Sequence, residues 1–221
     1  MTESQKQDTK SQSQLKVCGL TQLGQIRELV EIKINFLGFI FYEKSPRYVL
    51  NHLSLDEISK INHGRKVGVF VNDTVNKIIE ISEKAGLNLI QLHGDENEDY
   101  ISCLRLQLNP KIEIIQVIRV GNQNAEQLQE MINHQPTTVN YLLFDTNSKA
   151  FGGTGKTFDW NILNEIKIPC SYFLSGGISE INIENIDKLN QKPFALDINS
   201  KFETEPGVKD LEKIKNLIHN Q

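Results

Sequence analysis

The sequence predicts an α/β fold with a single domain, a (β/α)8 or TIM barrel of eight parallel strands alternating with helices. Short apolar, β-branched runs recur eight times, and each is followed by a polar stretch compatible with a helix. No G-x-G-x-x-G motif follows the first run, as it does in many doubly wound sheets, which also tend to have fewer strands. No linker rich in Pro, Gly or Ser interrupts residues 15–221, so one domain is expected.

Several apolar runs are almost continuous in Val, Ile, Leu and Phe, which is typical of parallel strands covered on both faces. The eight predicted strands are, in order, LKVCGL (15–20), FLGFIFY (36–42), KVGVFVN (66–72), LNLIQLH (87–93), EIIQVIRV (113–120), YLLFDT (141–146), SYFLSGG (171–177) and FALDINS (194–200).

Helical patterns lie between these runs. In residues 73–86, Asp73 or Thr74 is a candidate N-cap and Gly86 is the expected C-terminal stop. In residues 124–134, apolar side chains recur at spacings of three and four. Further helices are predicted over residues 157–166, 181–189 and 209–220.

Composition limits the partners of the protein. The chain has 221 residues and a net charge of −4, so its overall field does not attract nucleic acid or an anionic membrane. Three widely spaced cysteines without a CxxC pair are typical of free thiols in a reducing compartment, and no Cys/His cluster has metal-ligand spacing. No apolar run is long enough to span a bilayer. We therefore expect a cytoplasmic protein without nucleic-acid, membrane or metal partners.

The first fourteen residues form the only segment outside the predicted barrel. They lack the apolar stretch of a signal peptide and are polar throughout. We expect residues 1–14 to be a disordered polar tail and residues 15–221 to be the catalytic barrel domain.

Polar residues flanked by glycine cluster where the apolar runs end. In a (β/α)8 barrel the carboxyl ends of the strands carry the chemistry, whereas the opposite end serves stability. The stretches that fit this rule are Cys18-Gly19, His93-Gly94, Asp145-Thr146, Ser175-Gly176-Gly177 and Asp197-Ile198-Asn199-Ser200.

Cys18 and Asp145 are candidates for an acid–base pair across the barrel mouth. A thiol becomes a base once its pKa is lowered, and a carboxylic acid opposite can donate a proton. On pattern alone, a packed core thiol and a loop-capping carboxylate explain the two residues equally well. Cys103, in a helix-like stretch, and Cys170, after Pro169, are expected to be structural.

Two glycine-rich stretches suggest anion binding. In SGGIS (175–179), Gly176 and Gly177 would let backbone N–H groups approach a phosphate, with the N-terminus of a following helix behind them; a simple change of direction is the alternative. FGGTGKTF (151–158) resembles a P-loop but lacks its first glycine, so ATP binding is rejected. The stretch is expected to be a mobile loop beside the site, with Lys156 a contact or a solvated charge.

Three further residues are substrate-binding candidates. Arg47 follows the rigid Ser45-Pro46 turn and could aim its guanidinium at a substrate carboxylate; a surface pair with Glu43 or Asp56 is equally compatible with the spacing. His93 and Asp197 could contact ligand, although a structural histidine and carboxylate are alternatives. Their positions at strand ends keep both residues in the predicted site.

Eight strings in order, taken together, closely resemble the phosphoribosylanthranilate isomerase family of tryptophan biosynthesis over about residues 15–217. They are KVCGLT, GFIFYEKSPRYV, KVGVFVN, IQLHGDE, LLFDT, FGGTGKTFDW, FLSGGI and ALDINSKFETEPGVKD. The resemblance implies a (β/α)8 barrel, in agreement with the strand count.

The resemblance also implies residue roles. Cys18 matches the general base of the family, Asp145 its general acid, and Arg47 the arginine that engages the anthranilate carboxylate. Asp197 would line the site near the substrate amine and sugar hydroxyls. The phosphate loops match Gly176-Gly177 and the stretch around Asn199-Ser200. Lys201 departs from the pattern, since the family commonly has a glycine there, and this weakens any detailed expectation for phosphate contacts at residues 199–201.

The implied reaction is an Amadori rearrangement of N-(5′-phosphoribosyl)anthranilate that needs no cofactor, in a monomer or homodimer. Lys16, two residues before Cys18 on the same strand face, is predicted to favour the thiolate. Two alternatives stay open. One is a related phosphoribosyl aldose–ketose isomerase, such as that of histidine biosynthesis, which uses a carboxylate where Cys18 stands. The other is a catalytically idle barrel that binds a phosphorylated metabolite.

Overall fold

The structure, a computed structural model, describes residues 13–147 and 157–219. Eight parallel strands close into a barrel in chain order, which confirms the predicted fold. The strands are β1 (Gln14–Val17), β2 (Phe36–Ile40), β3 (Lys66–Phe70), β4 (Leu89–Leu92), β5 (Glu113–Val120), β6 (Tyr141–Thr146), β7 (Tyr172–Leu174) and β8 (Ala195–Ile198).

The barrel closes where β1 pairs with β8, in a register that sets Lys16 beside Asp197. Gln14 already belongs to β1, so the strand begins one residue before the predicted domain boundary. Ser13 is also tied to the barrel, because its Oγ donates to the carbonyl of Pro193 at 3.0 Å. The remainder of the predicted tail, residues 1–12, lies outside the described residues.

Within the described residues, six α-helices pack around the strands, and an antiparallel hairpin follows β8. The helices are α1 (Leu23–Glu31), α2 (Leu55–Ser59), α3 (Val75–Ala85), α4 (Glu98–Gln107), α5 (Ala125–Asn133) and α6 (Leu211–His219). The hairpin consists of β9 (Glu203–Glu205) and β10 (Val208–Lys209).

The predicted start and stop of α3 are confirmed by its caps. Thr74, not Asp73, is the N-cap, and its side chain accepts from the amide of Lys77. Gly86 ends the helix with φ of 60°, a left-handed conformation that glycine adopts without a steric penalty.

Two predicted helices are wrong in type. Residues 157–166 and 181–189 contain 3₁₀ segments, Trp160–Glu165 and Ile183–Lys188, instead of α-helices. Both stretches combine β-branched isoleucine with asparagine and aspartate, which have poor helix propensity and favour turns through their side-chain hydrogen bonds. The strand count is unaffected, but neither connection supplies a long helix dipole.

Apolar side chains form two layers of core. One lies between the barrel and the helices, and the other fills the barrel interior. The interior layer consists of Phe36, Val67, Leu89, Ile115, Val117, Leu143, Phe173 and Ala195. Phe36 packs edge-on against Phe173 at 5.1 Å, and the guanidinium of Arg65 covers Phe36 at 4.9 Å at the amino end of the strands. Because the interior is filled with apolar side chains, polar site residues are expected at the carboxyl end of the strands.

In the described part of the chain, no helix has the length and apolar character needed to cross a bilayer.

Candidate active site

The parallel barrel brings four predicted site residues to the same end. Cys18 directly follows β1 and His93 follows β4, while Asp145 and Asp197 lie near the ends of β6 and β8. Ladder hydrogen bonds continue past the strand ends: the amide of Cys18 donates to the carbonyl of Ile198 at 2.9 Å. All four side chains are buried, which fits a site set into the mouth of the barrel.

The thiol of Cys18 lies in a crowded and charged environment. The residue is 4% exposed, and a Cβ added to Gly38 would lie 3.1 Å from its Sγ, so glycine on β2 leaves room for the sulfur. Burial raises the pKa of the thiol, against the opposing positive charges of Lys16 and Lys209. Lys16 thus acts in the predicted direction but does not outweigh burial.

Lys16 and Asp197 form a buried ion pair beneath this thiol. The Nζ of Lys16 lies 2.8 Å from Oδ1 of Asp197, and the lysine has no exposed surface. Burial raises the pKa of Asp197, Lys16 opposes that rise, and the nearby charge of Asp145 adds to it. Asp197 was predicted as a substrate contact, and the structure shows that it also pairs with the side chain of Lys16. The register of β1 against β8 makes the pair, which the sequence alone does not reveal.

His93 and the Thr146 amide contact the carboxyl group of Asp145, and Gln91 contacts His93. The Nε2 of His93 lies 3.3 Å from Oδ2 of Asp145, and the backbone amide of Thr146 donates to Oδ1 at 2.8 Å. The Nε2 of Gln91 lies 3.2 Å from Nδ1 of His93. We assign the tautomer of His93 from its hydrogen-bond partners. The Gln91 amide donates to Nδ1 of His93, so Nε2 carries the proton and faces Asp145.

His93 therefore contacts the candidate acid, in addition to any role as a substrate contact. Sequence reasoning missed Gln91, although a usable signal existed. Residues two apart in a strand point to the same face, so Gln91 could have been grouped with His93.

Arg47 turns inward, and the alternative of a surface pair is wrong. Its side chain is 10% exposed and forms two-point contacts with Glu203 of β9: Nη2 to Oε2 at 2.6 Å and Nε to Oε1 at 3.0 Å. The two proposed surface partners pair elsewhere, Glu43 with Lys77 and Asp56 with Lys60. Sequence reasoning missed Glu203, which is 156 residues from Arg47.

The Gly-Gly turn after β7 is tight, and both of its glycines have positive φ. Gly176 and Gly177 have φ of 84° and 72°, in the left-handed region that favours glycine. A Cβ at Gly176 would collide with Oγ1 of Thr146 and lie 3.2 Å from Oδ1 of Asp145, so the turn packs directly on the candidate acid. Asn182 ties the loop by donating to the carbonyl of Gly177 at 3.0 Å.

The prediction of a helix directly behind this turn is wrong. The next helical segment begins at Ile183 and is a short 3₁₀ turn, so backbone amides are the donors available at Gly176 and Gly177. After β8, Asn199 accepts from Nζ of Lys209 at 2.8 Å, and Ser200 opens a one-turn 3₁₀ segment. The side chain of Lys201 is exposed.

The two other cysteines and the glycine-rich loop are the remaining candidates from the sequence. Cys103 is exposed and Cys170 is half-buried. Lys156 and most of the FGGTGKTF loop lie outside the described residues. Within residues 13–147 and 157–219, no group of His, Cys, Asp and Glu side chains could hold a metal ion.

Comparison with known proteins identifies the family. A family model described as N-(5′-phosphoribosyl)anthranilate (PRA) isomerase matches residues 15–220. Proteins named N-(5′-phosphoribosyl)anthranilate isomerase from Parabacteroides distasonis and Gloeothece citriformis are each 38% identical to this chain, over 92% of it and 91% of their own length.

Solved structures agree. The phosphoribosylanthranilate isomerase of Thermotoga maritima has a TM-score of 0.75 and 32% identity, with 95% of this chain and 98% of that chain covered. The enzyme from Thermus thermophilus has a TM-score of 0.77 at 24% identity, over 93% and 96% of the two chains, and supports the fold alone. The chain therefore belongs to the N-(5′-phosphoribosyl)anthranilate isomerase family, whose members are isomerases of tryptophan biosynthesis.

Proposed function

We propose that this chain converts N-(5′-phosphoribosyl)anthranilate to 1-(2-carboxyphenylamino)-1-deoxyribulose 5-phosphate, with Asp145 as general acid and Cys18 as general base. One observation carries the mechanism: a buried thiol and a buried carboxyl group lie at the carboxyl end of the same closed barrel. A related phosphoribosylanthranilate isomerase has been solved with reduced 1-(o-carboxyphenylamino)-1-deoxyribulose 5-phosphate, which supports this substrate class.

Ring opening is the first step. Asp145 transfers its proton to the furanose ring oxygen, the bond from C1′ to that oxygen breaks, and the nitrogen lone pair forms a protonated Schiff base. Contacts from His93 and the Thr146 amide fix the orientation of the carboxyl group, which supports its assignment as a positioned group. After the transfer Asp145 is an anion, which the Nε2–H of His93 stabilises.

Proton abstraction is the second step. The iminium acidifies the C2′ proton, and the Cys18 thiolate removes it to give an enolamine. The C2′ hydroxyl then loses its proton, C1′ gains one, and the ketone forms. The substrate nitrogen is the electron sink throughout, so the scheme uses no metal or redox cofactor. The positive charges of Lys16 and Lys209 favour the thiolate that this step requires.

Binding groups surround the reacting atoms in this scheme. Arg47 holds the anthranilate carboxylate, and Asp197 faces the substrate amine and sugar hydroxyls. Amides of Gly176, Gly177 and the Asn199-Ser200 stretch hold the phosphate. The glycine conformations at residues 176 and 177 support the phosphate assignment, since they bring the backbone close to a ligand.

The test is a turnover assay that follows the loss of substrate fluorescence with freshly made phosphoribosylanthranilate. We expect wild-type activity, and a loss of roughly 10²- to 10⁴-fold in Cys18→Ala and in Asp145→Ala, because each removes a positioned proton carrier. Cys103→Ala is the matched control for the first variant, since Cys103 is exposed and should not affect turnover.

Three outcomes would contradict the proposal. Normal turnover by both variants would remove the acid–base pair. Wild-type protein that binds the reduced product analogue without turning over substrate would favour the idle barrel. Activity on the phosphoribosylated aminoaldose substrate of the histidine-biosynthesis isomerase, measured in parallel, would favour the related isomerase.

The oligomeric state stays a prediction of monomer or homodimer. One related structure is described as monomers generated from the dimeric enzyme of Thermotoga maritima, which supports the dimer as one of the two states. The small-molecule substrate is the only partner that the proposed chemistry requires.

A further inference from the structure

The guanidinium of Arg47 is engaged along one edge. Its Nε and Nη2 donate to the carboxylate of Glu203, at 2.9 Å and 2.6 Å to Oε2. In the described part of the chain, no hydrogen bond of Arg47 uses Nη1. A guanidinium offers five N–H groups in a rigid plane, so the end-on pair formed by Nη1 and the second Nη2 proton is free for another two-point contact.

Glu203 is itself fixed on three sides. Besides Arg47, the Nζ of Lys209 lies 2.7 Å from its Oε1, and the amide of Gly207 donates to the same oxygen at 3.1 Å. The carboxylate is 3% exposed and the ammonium of Lys209 is fully buried. The side chain that orients Arg47 is thus held by the hairpin β9–β10, so its position is set before any ligand arrives.

The same cluster borders the reacting thiol. A Cβ added to Gly19, next to Cys18, would lie 2.7 Å from Cδ of Arg47 and 2.9 Å from Oδ1 of Asn199. Lys209 also donates to Asn199, at 2.8 Å. The arginine therefore lies over the residue that follows the candidate base.

Charge in this cluster is unbalanced. Arg47 and Lys209 are two basic side chains, and Glu203 supplies one negative charge among the side chains that pair with them. Burial lowers the pKa of Lys209, and the charge of Glu203 opposes that change. A buried excess cation is costly unless an anion accompanies it. The arrangement therefore favours an anionic group at the free edge of Arg47.

We propose that Glu203 is a positioning residue for substrate specificity: by holding the Nε edge of Arg47, it presents the end-on edge of the guanidinium to the aromatic carboxylate of the substrate. The inference rests on the proposed function, because Arg47 is assigned to that carboxylate there. It adds that the hairpin β9–β10, and not Arg47 alone, determines selection for a carboxylate on the aromatic ring.

The experiment measures the affinity of two ligands by calorimetry: reduced 1-(o-carboxyphenylamino)-1-deoxyribulose 5-phosphate, and the same molecule without the ring carboxylate. In Glu203→Gln we expect affinity for the carboxylate ligand to fall roughly 10- to 100-fold, because a charge-assisted contact loses its geometry. Affinity for the other ligand should change less than about threefold, within the range of surface substitutions.

Two further variants control the result. Glu205→Gln removes an exposed carboxylate from the same strand and should leave both affinities unchanged. Glu203→Asp keeps the charge and should recover part of the lost discrimination. Thermal unfolding of each variant shows whether it is folded, and if Glu203→Gln does not fold, Glu203→Asp is compared with wild type, where a smaller selective loss is expected.

The inference would be overturned if Glu203→Gln lost affinity for both ligands equally, or lost affinity for neither. The failure of the proposed function looks different. If wild type itself does not prefer the carboxylate ligand, the assignment of Arg47 is wrong. If wild type prefers it and Glu203→Gln keeps the full preference, only the role of Glu203 is wrong.

Discussion

At the scale of single residues, the site is dominated by charged groups that the barrel has removed from water. Cys18 has two lysines and an aspartate within electrostatic reach, and burial is the largest influence on its pKa. A raised pKa leaves a smaller fraction of the thiol ionised at neutral pH. The chemistry assigned to Cys18 therefore depends on Lys16 and Lys209 as much as on the sulfur.

The pH dependence of alkylation tests this environment. In a Cys103→Ser/Cys170→Ser background, the rate of Cys18 alkylation by iodoacetamide should keep rising above about pH 8.5, the ordinary thiol pKa, since burial raises the pKa of Cys18. Lys16→Met should move the midpoint to still higher pH by removing a charge that favours the thiolate.

Lys60→Met, at an exposed lysine, should leave the alkylation profile unchanged. A plateau reached below about pH 8 in the otherwise wild-type background would contradict the raised pKa. An unchanged midpoint in Lys16→Met would remove Lys16 from the account of the thiol.

At the scale of secondary-structure elements, the two ends of the barrel have different tasks. At the amino end of β3, the ammonium of Lys66 is buried and donates to three carbonyls at the C-terminal ends of α2 and α3, at 3.1 to 3.2 Å: Ile58, Ser59 and Ala85. Carbonyls at helix ends lack the amide partner of the helix interior, although Ile58 also accepts from the amide of Ile61 at 3.2 Å. Lys66 thus joins two helix ends to the sheet.

Lys66→Met should destabilise the protein by about 1–3 kcal/mol in urea unfolding, because buried carbonyls lose their donor. Burial lowers the pKa of Lys66 in the folded protein, so the unfolded chain binds more protons as pH approaches about 10.4. Wild-type stability then rises with pH in that window, and its advantage over the variant should widen.

Lys60→Met is the comparison for Lys66→Met as well, since Lys60 lies on the surface and its ion pair with Asp56 contributes little. A Lys66→Met protein as stable as Lys60→Met would show that the helix ends need no donor from β3.

Element types were only partly predictable. Continuous apolar runs marked all eight strands, and the Thr74 and Gly86 caps marked α3, because both signals are local. The connections after β6 and β7 have helical spacing but contain 3₁₀ segments. Spacing alone does not reveal that Asn, Asp and Ile weaken a helix that has little tertiary packing to stabilise it.

At the scale of the whole molecule, the barrel closes with β1 against β8, and residues 1–12 precede that closure. A shortened chain lacking residues 2–12 should keep wild-type turnover and melting temperature, since the family match begins at residue 15. Lower activity or stability would show that this segment belongs to the functional domain.

A chain lacking residues 2–16 is the contrasting variant. It loses Lys16 and the β1 pairing with β8, so we expect it not to fold. The two shortened chains together test the proposed boundary between tail and barrel.

The sequence by itself determined the barrel and the candidate residues Cys18, Asp145 and Arg47, because strand runs and their polar ends are written within a few consecutive residues. Only the tertiary structure decided what holds those side chains. Glu203 meets Arg47 across 156 residues, and Lys16 meets Asp197 across 181, through barrel closure and strand register. Such contacts depend on how β1 pairs with β8 and on where the hairpin after β8 packs. A local pattern of residues does not reveal contacts between residues so far apart in the sequence.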